Sequence, residues 1–257
     1  MRKTNFATNY VYHVYNRGVE KRKIFLDSTY YFQFVSLLNH YLKYNYPFSF
    51  LKRRLRQAQS SGKKQKVLLH LKTRRINPPV EIISFCLMPN HYHLILKQLV
   101  ENGITNFMHK IGTAYTNYFN IRQERKGRLF EVTFKTVMIE SDEQLIYLTR
   151  YQHLNPRALG IVNLKELIDY SWSSLSTYLG NKQFLFVRPD IVLSNFKGPK
   201  SYLDFILGEV DELEALRLEK IAIDDDFSWF TNFRKLDKAY QEQLRQHYLE
   251  MLVGNFD

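Results

Sequence analysis

Residues 10–15 mix aromatics with valine in a strand-like pattern and run into Asn16-Arg17-Gly18, a turn signal, which predicts a first strand. After Asp27-Ser28, residues suited to an N-cap, Tyr31, Phe34, Val35, Leu38, Tyr41 and Leu42 recur at helical spacing and predict the first helix. The apolar run 80–88 and the stretch 91–98 read as a second and a third strand, paired across the turn Met88-Pro89-Asn90. A second helix shows its apolar face in Ile104, Phe107, Met108, Ile111, Tyr115, Tyr118 and Phe119 and gives way at the polar, basic stretch 122–128. A fourth strand is expected over 129–140. Ser141 and Gln144 then suit a capping box that opens a third helix, and Pro156 should end it at Asn155. The order β, α, β, β, α, β, α predicts an α+β fold on the ferredoxin-like split-βαβ plan: an antiparallel four-stranded sheet, helices on one face, the first and third strands central.

At 257 residues and 45% hydrophobic composition the chain is long enough to bury a core. It could form one elaborated domain or one domain plus a smaller appendage, and the expected division is a main domain over 1–180, carrying a basic insertion at about 51–78, and a mainly helical extension over 181–257. Lysine and arginine number 37 against 25 acidic residues, a formal charge of +12 that favours a polyanionic partner over a neutral metabolite. The charge is concentrated. Between Leu51 and Pro78 stand ten basic residues and no acidic one, interrupted at Ser60-Ser61-Gly62, which predicts a helical arm, a flexible tip and a return segment. So unbalanced a run points to phosphate contact as well as to a solvated face, with Lys52, Arg53, Arg54 and Arg56 as its first candidates. The single cysteine, Cys86, sits in an apolar run; with no disulfide possible within the chain, a reducing cytosol is expected. Neither a signal peptide nor a membrane-spanning run is legible.

The chemistry is concentrated in Pro89-Asn90-His91-Tyr92-His93. Side chains two apart on a strand share a face, so His91 and His93 can grip one divalent cation while Tyr92 points the other way. In Tyr151-Gln152-His153-Leu154-Asn155, Tyr151 and Asn155 are four apart, which a helix brings to one face. A phenol with an ordinary pKa of ~10 is a poor nucleophile at neutral pH and needs a cation beside it; mixed nitrogen and oxygen ligands suit Mg²⁺ or Mn²⁺, although imidazoles also accept zinc. Each feature has a plainer explanation. The histidines could be satisfied core residues, Tyr151 is one of 18 tyrosines, and His153, on another helix face, is read as structural.

Three segments, in order, resemble the IS200-like (Y1) transposase superfamily, and within it the REP-associated tyrosine transposases. They are Tyr12-His13-Val14-Tyr15-Asn16-Arg17-Gly18, Leu87-Met88-Pro89-Asn90-His91-Tyr92-His93-Leu94-Ile95-Leu96 and Tyr151-Gln152-His153-Leu154-Asn155-Pro156. The resemblance extends over roughly residues 8–180, through Gly127-Arg128-Leu129-Phe130, Phe134-Lys135 and Trp172-Ser173-Ser174. It implies an HUH endonuclease with His91 and His93 as metal ligands, Asn155 as the third ligand where insertion-sequence enzymes carry glutamine, and Tyr151 forming a 5′-phosphotyrosine. It also implies single-stranded or hairpin DNA, such as REP-like palindromes, as the partner of a cytoplasmic, nucleoid-associated monomer or homodimer. Arg17, Lys126, Arg128, Lys135 and Arg150, basic and in or near these segments, become candidates for backbone phosphates. Two alternatives remain at this point: a non-catalytic hairpin DNA- or RNA-binding protein on the same fold, and a zinc hydrolase, for which no supporting acidic motif stands near the histidine pair.

Overall fold

A computed structural model describes residues 6–58, 61–73, 75–158, 160–180 and 184–208. Arg74 of the basic segment lies outside these residues, as does nearly all of the acidic stretch of the expected extension. Four strands, β1 (Val11–Arg17), β2 (Val80–Met88), β3 (His91–Gln98) and β4 (Lys135–Ile139), form one sheet in the order β2-β3-β1-β4. β1 and β3 are antiparallel central neighbours, as the split-βαβ plan requires, with Tyr15 opposite His93 and Arg17 opposite His91.

The chain groups into two compact units, Met1–Ile82 with Leu87–Met138, and Ile83–Cys86 with Ile139–Asp257. In the first unit, helices α1 (Ser28–Lys43) and α4 (Gly103–Arg122) pack together and cover one face of the sheet. Asp27 caps α1 by accepting from the Thr29 amide. Phe34 of α1 lies 5.0 Å from the Tyr92 ring and 5.1 Å from that of Tyr115, whose hydroxyl donates to the Ile24 carbonyl. This layer is aromatic and buried. At the end of β1, Gly18 donates to the Asn90 carbonyl, and a Cβ there would collide with the Arg22 carbonyl oxygen, which explains glycine in the turn.

The basic segment is a pair of helices, α2 (Phe48–Gln57) and α3 (Ser61–Lys72), closed at its root where Tyr44 bridges to Arg75. Contrary to expectation Ser61 and Gly62 lie inside α3, while the Ala58 amide closes α2 on the Arg54 carbonyl. β4 is also shorter than expected. Ahead of it Phe130 bridges Gly18 and the Glu131 amide bonds to the Arg17 carbonyl, but the chain is regular strand only from Lys135.

The second unit is built on α5 (Asp142–Ala158), with shorter helices α6 (Leu164–Ile168), α7 (Leu175–Tyr178), α8 (Asp190–Leu193) and α9 (Pro199–Leu207). Ser141 accepts from the Gln144 amide and Gln144 accepts from the Glu140 amide, close to the expected capping arrangement. α5 does not stop at Asn155. Pro156 forfeits only one amide near the helix end, and its own carbonyl is taken up by Ile161 and Val162, so the helix continues to Ala158. The Tyr178 hydroxyl donates to the Ile83 carbonyl, and the Ser174 hydroxyl accepts from the Phe85 amide, which secures segment 83–86 within this unit. No helix among the described residues is long and apolar enough to cross a membrane.

Candidate active site

Alternation along β3 sets the first part of the site. Tyr92 enters the helix layer, packing on Phe34 and Phe130, and burial pushes its phenol far above the ordinary range, so it is a neutral core residue. His91 and His93 take the opposite face, their rings perpendicular with centroids 4.9 Å apart. The β1–β3 register places His13, Tyr15 and Arg17 on that same face. Both β3 histidines are buried and each is tethered at Nδ1.

The tethers decide how the rings are presented. His91 Nδ1 lies 2.7 Å from Asn90 Oδ1; a carbonyl oxygen only accepts, so the proton sits on Nδ1 and Nε2 carries the lone pair. His93 Nδ1 lies 3.0 Å from His13 Nε2, and the two rings are nearly parallel, 16° apart in plane. For His93 to offer Nε2 to a cation, its Nδ1–H must donate and His13 Nε2 must accept. Tyr15 stacks on His13 at 5.1 Å, and the Lys135 ammonium stands 5.9 Å from the Tyr15 ring. His13 and Asn90 were not singled out from sequence. The usable signal was parity: His13 falls in step with Tyr15 and Arg17 along β1.

In the second unit, Tyr151 and Asn155 lie one turn apart on α5 and both are fully buried. Between them, Gln152 is hydrogen-bonded to Ser84. His153 is held at both ring nitrogens, Nδ1 to the Tyr202 hydroxyl and Nε2 to the Ser174 hydroxyl, each at 2.8 Å. Burial pushes its pKa down to about 3, so it is a neutral, structural histidine.

The basic candidates divide. Arg150 is 1% exposed, with its guanidinium 4.9 Å over the Phe205 ring and its N–H groups donating to the carbonyls of Ile206 and Gly208. A side chain sealed in this way cannot meet a phosphate, which corrects its expected role; its charge serves the α9 terminus. Arg17 is half-buried on the histidine face, while Lys126, Arg128 and Lys135 are exposed. On α2, Arg54 and Arg56 are exposed, and Arg53 lies 5.7 Å from the Phe50 ring. Lys52 donates to Gln33 at 2.7 Å, and partial burial lowers its pKa. Arg128 also borders a groove of about 480 Å³, shared with His109, Thr113, Thr116, Asn117 and Glu131.

The family described as "Transposase IS200 like" matches residues 41–153, a span that takes in His91, His93 and Tyr151 and ends before Asn155. A solved structure described as "Structure of the REP associates tyrosine transposase bound to a REP hairpin" is similar at 15% identity, with 72% of this chain and 87% of that chain covered and a TM-score of 0.45. No curated protein matches the chain. The likeness to the IS200-like transposase family therefore lies in residues 41–153, from the end of α1 into α5.

Proposed function

We propose that this chain is a divalent-metal-dependent endonuclease and strand transferase for single-stranded DNA, acting beside hairpins of the kind formed by REP-like palindromes. The carrying observation is that the span matched by the family holds both paired imidazoles of β3 and the tyrosine of α5. His91 and His93 would hold the cation through Nε2, with the Asn155 amide oxygen as a further donor. Two imidazoles with neutral oxygens suit Mg²⁺ or Mn²⁺. A closed zinc site would want more, and among the described residues no cluster of three or more His, Cys, Asp or Glu is placed to hold a metal. When bound, the ion supplies Lewis-acid polarisation of the scissile phosphate.

The protein's own part is nucleophilic. The Tyr151 oxygen forms a bond to phosphorus as the bond from phosphorus to the 3′ oxygen breaks; the phenol gives up its proton and the departing oxygen takes one, becoming a free 3′-OH. The product is a 5′-phosphotyrosine. Attack on it by a 3′-OH reverses the exchange and rejoins DNA without a nucleotide cofactor. Arg17 and Lys135 would hold backbone phosphates beside the histidine face, and Lys126, Arg128 and the α2 cations would hold them farther along, where the groove offers a path for the single strand. Action on DNA in the cytoplasm, at the nucleoid, fits this chemistry.

The test is a denaturation-resistant protein–DNA adduct formed with Mn²⁺ and a hairpin-bearing oligonucleotide. Tyr151→Phe should abolish it while hairpin affinity stays within about twofold, since only the nucleophilic oxygen is removed. An adduct that persists in the variant identifies a different nucleophile.

A further inference from the structure

One side of the first unit interleaves cations with aromatic rings. The Arg122 guanidinium, at the end of α4, lies 5.4 Å from the Tyr30 ring and 5.7 Å from that of Tyr118. The Lys52 ammonium reaches the same Tyr118 ring from α2, at 5.8 Å, and the Phe48 ring at 5.0 Å. Arg53 continues the series 5.7 Å from Phe50. Tyr118 is thus shared by cations from two helices. Arg122, Lys52 and Arg53 are exposed, while Tyr118, Phe48 and Phe50 are half-buried.

Neutralisation is nearly absent. From Ser28 to Val80 the chain has no acidic residue. Asp27 does reach Arg122 electrostatically, but its carboxylate is engaged by the amide and hydroxyl of Thr29. A cation lying over a ring keeps its charge and its N–H donors, whereas an ion pair cancels the first and consumes the second. It also loses rotamer freedom before any ligand arrives, which lowers the entropic cost of binding. A row of aligned, uncompensated cations suits a ligand with repeating negative charge.

We infer that Arg53, Lys52 and Arg122 form a pre-ordered phosphate track, aligned by Phe50, Phe48 and Tyr118, that carries the sugar–phosphate backbone of the bound hairpin from the α2 arm to the turn after α4. The inference rests on the reading of the chain as a hairpin-binding protein. Arg122 then joins the contact set, and the half-buried tyrosine beside it becomes a positioning residue.

The experiment is fluorescence anisotropy with a hairpin-bearing oligonucleotide across a salt series, using the full chain. Arg122→Gln should weaken binding about fivefold near 0.15 M salt and reduce the log–log salt slope by about 0.9, and Lys52→Gln with Arg122→Gln should reduce it by about twice that. Tyr118→Leu, which keeps every charge, should weaken binding about two- to fivefold with the native slope. Native affinity and slope in the double variant, or native affinity in Tyr118→Leu, would overturn the track. Arg122→Gln alone, at an exposed position, covers the case in which loss of the Lys52–Gln33 bond unsettles the arm. The Tyr151 adduct is scored on the same oligonucleotide. An adduct with unchanged slopes removes the track alone, while reduced slopes without an adduct keep the track and remove the nuclease reading.

Discussion

The two units use buried polar side chains differently. In the second unit three neighbours of Tyr151 and Asn155 on α5 are spent internally: His153 is bonded at both nitrogens to hydroxyls, Gln152 to Ser84, and Arg150 to carbonyls near the end of α9. In the first unit, the histidines of β3 share one sheet face with His13, Tyr15 and Arg17; Asn90 Oδ1 fixes which nitrogen His91 presents, and His13 Nε2 stands against Nδ1 of His93. Burial alone therefore does not separate scaffold from site. What separates them is whether the surrounding groups close a side chain into the core or hold it in one chemical orientation.

The most severe way to break this contrast is to remove the β3 imidazoles. His91→Ala or His93→Ala should lower DNA cleavage by about a thousandfold or more, with thermal unfolding still cooperative. Loss of folding in both variants would make them core histidines of the His153 kind. A subtler change acts on a tether. His13→Phe keeps a flat ring but no acceptor for His93 and should weaken Mn²⁺ binding, read by electron paramagnetic resonance of the free ion, by about 10- to 100-fold. His13→Gln, whose Oε1 accepts, should largely restore it.

For the second unit the expected effect is on stability and has a definite sign. The folded pKa of His153, about 3, lies below the ordinary value of 6.5, so below 6.5 the unfolded chain binds a proton that the folded chain does not. Its contribution is therefore full above pH 6.5 and falls by roughly 1.4 kcal/mol per unit as the pH drops toward 3. Urea titrations across this window should show the slope, and His153→Gln should remove most of it. The smallest effect compares two arginines. Arg54→Gln on the exposed arm should reduce the salt slope of hairpin binding by about 0.7 to 0.9. Arg150→Gln should leave that slope unchanged and lower stability by about 2 kcal/mol through its unpaired carbonyls.

Much of the first unit was legible because its signals are local. Asp27 caps α1, the β2–β3 turn sits at Pro89-Asn90, and the parity of His91, Tyr92 and His93 gives their faces correctly. The misreadings arise where local preference yields to tertiary context. Pro156 is tolerated because it stands in the last turn of α5, and Gly62 is carried inside α3. Arg150 was read as a surface cation because a composition rule cannot anticipate Phe205 and two carbonyls some 55 residues later. The His13 tether needed strand register, which pairs β1 with a strand about 80 positions away.

The central claim, that one phenol of this chain carries the covalent chemistry, is tested most directly by finding the modified residue. Native protein is incubated with Mn²⁺ and a hairpin-bearing oligonucleotide, trimmed with nuclease and protease, and its peptides are sequenced by mass spectrometry. The account predicts a nucleotide 5′-phosphate on the peptide containing Tyr151 and on no other tyrosine. Attachment elsewhere, or cleavage with no modified peptide at all, would contradict it.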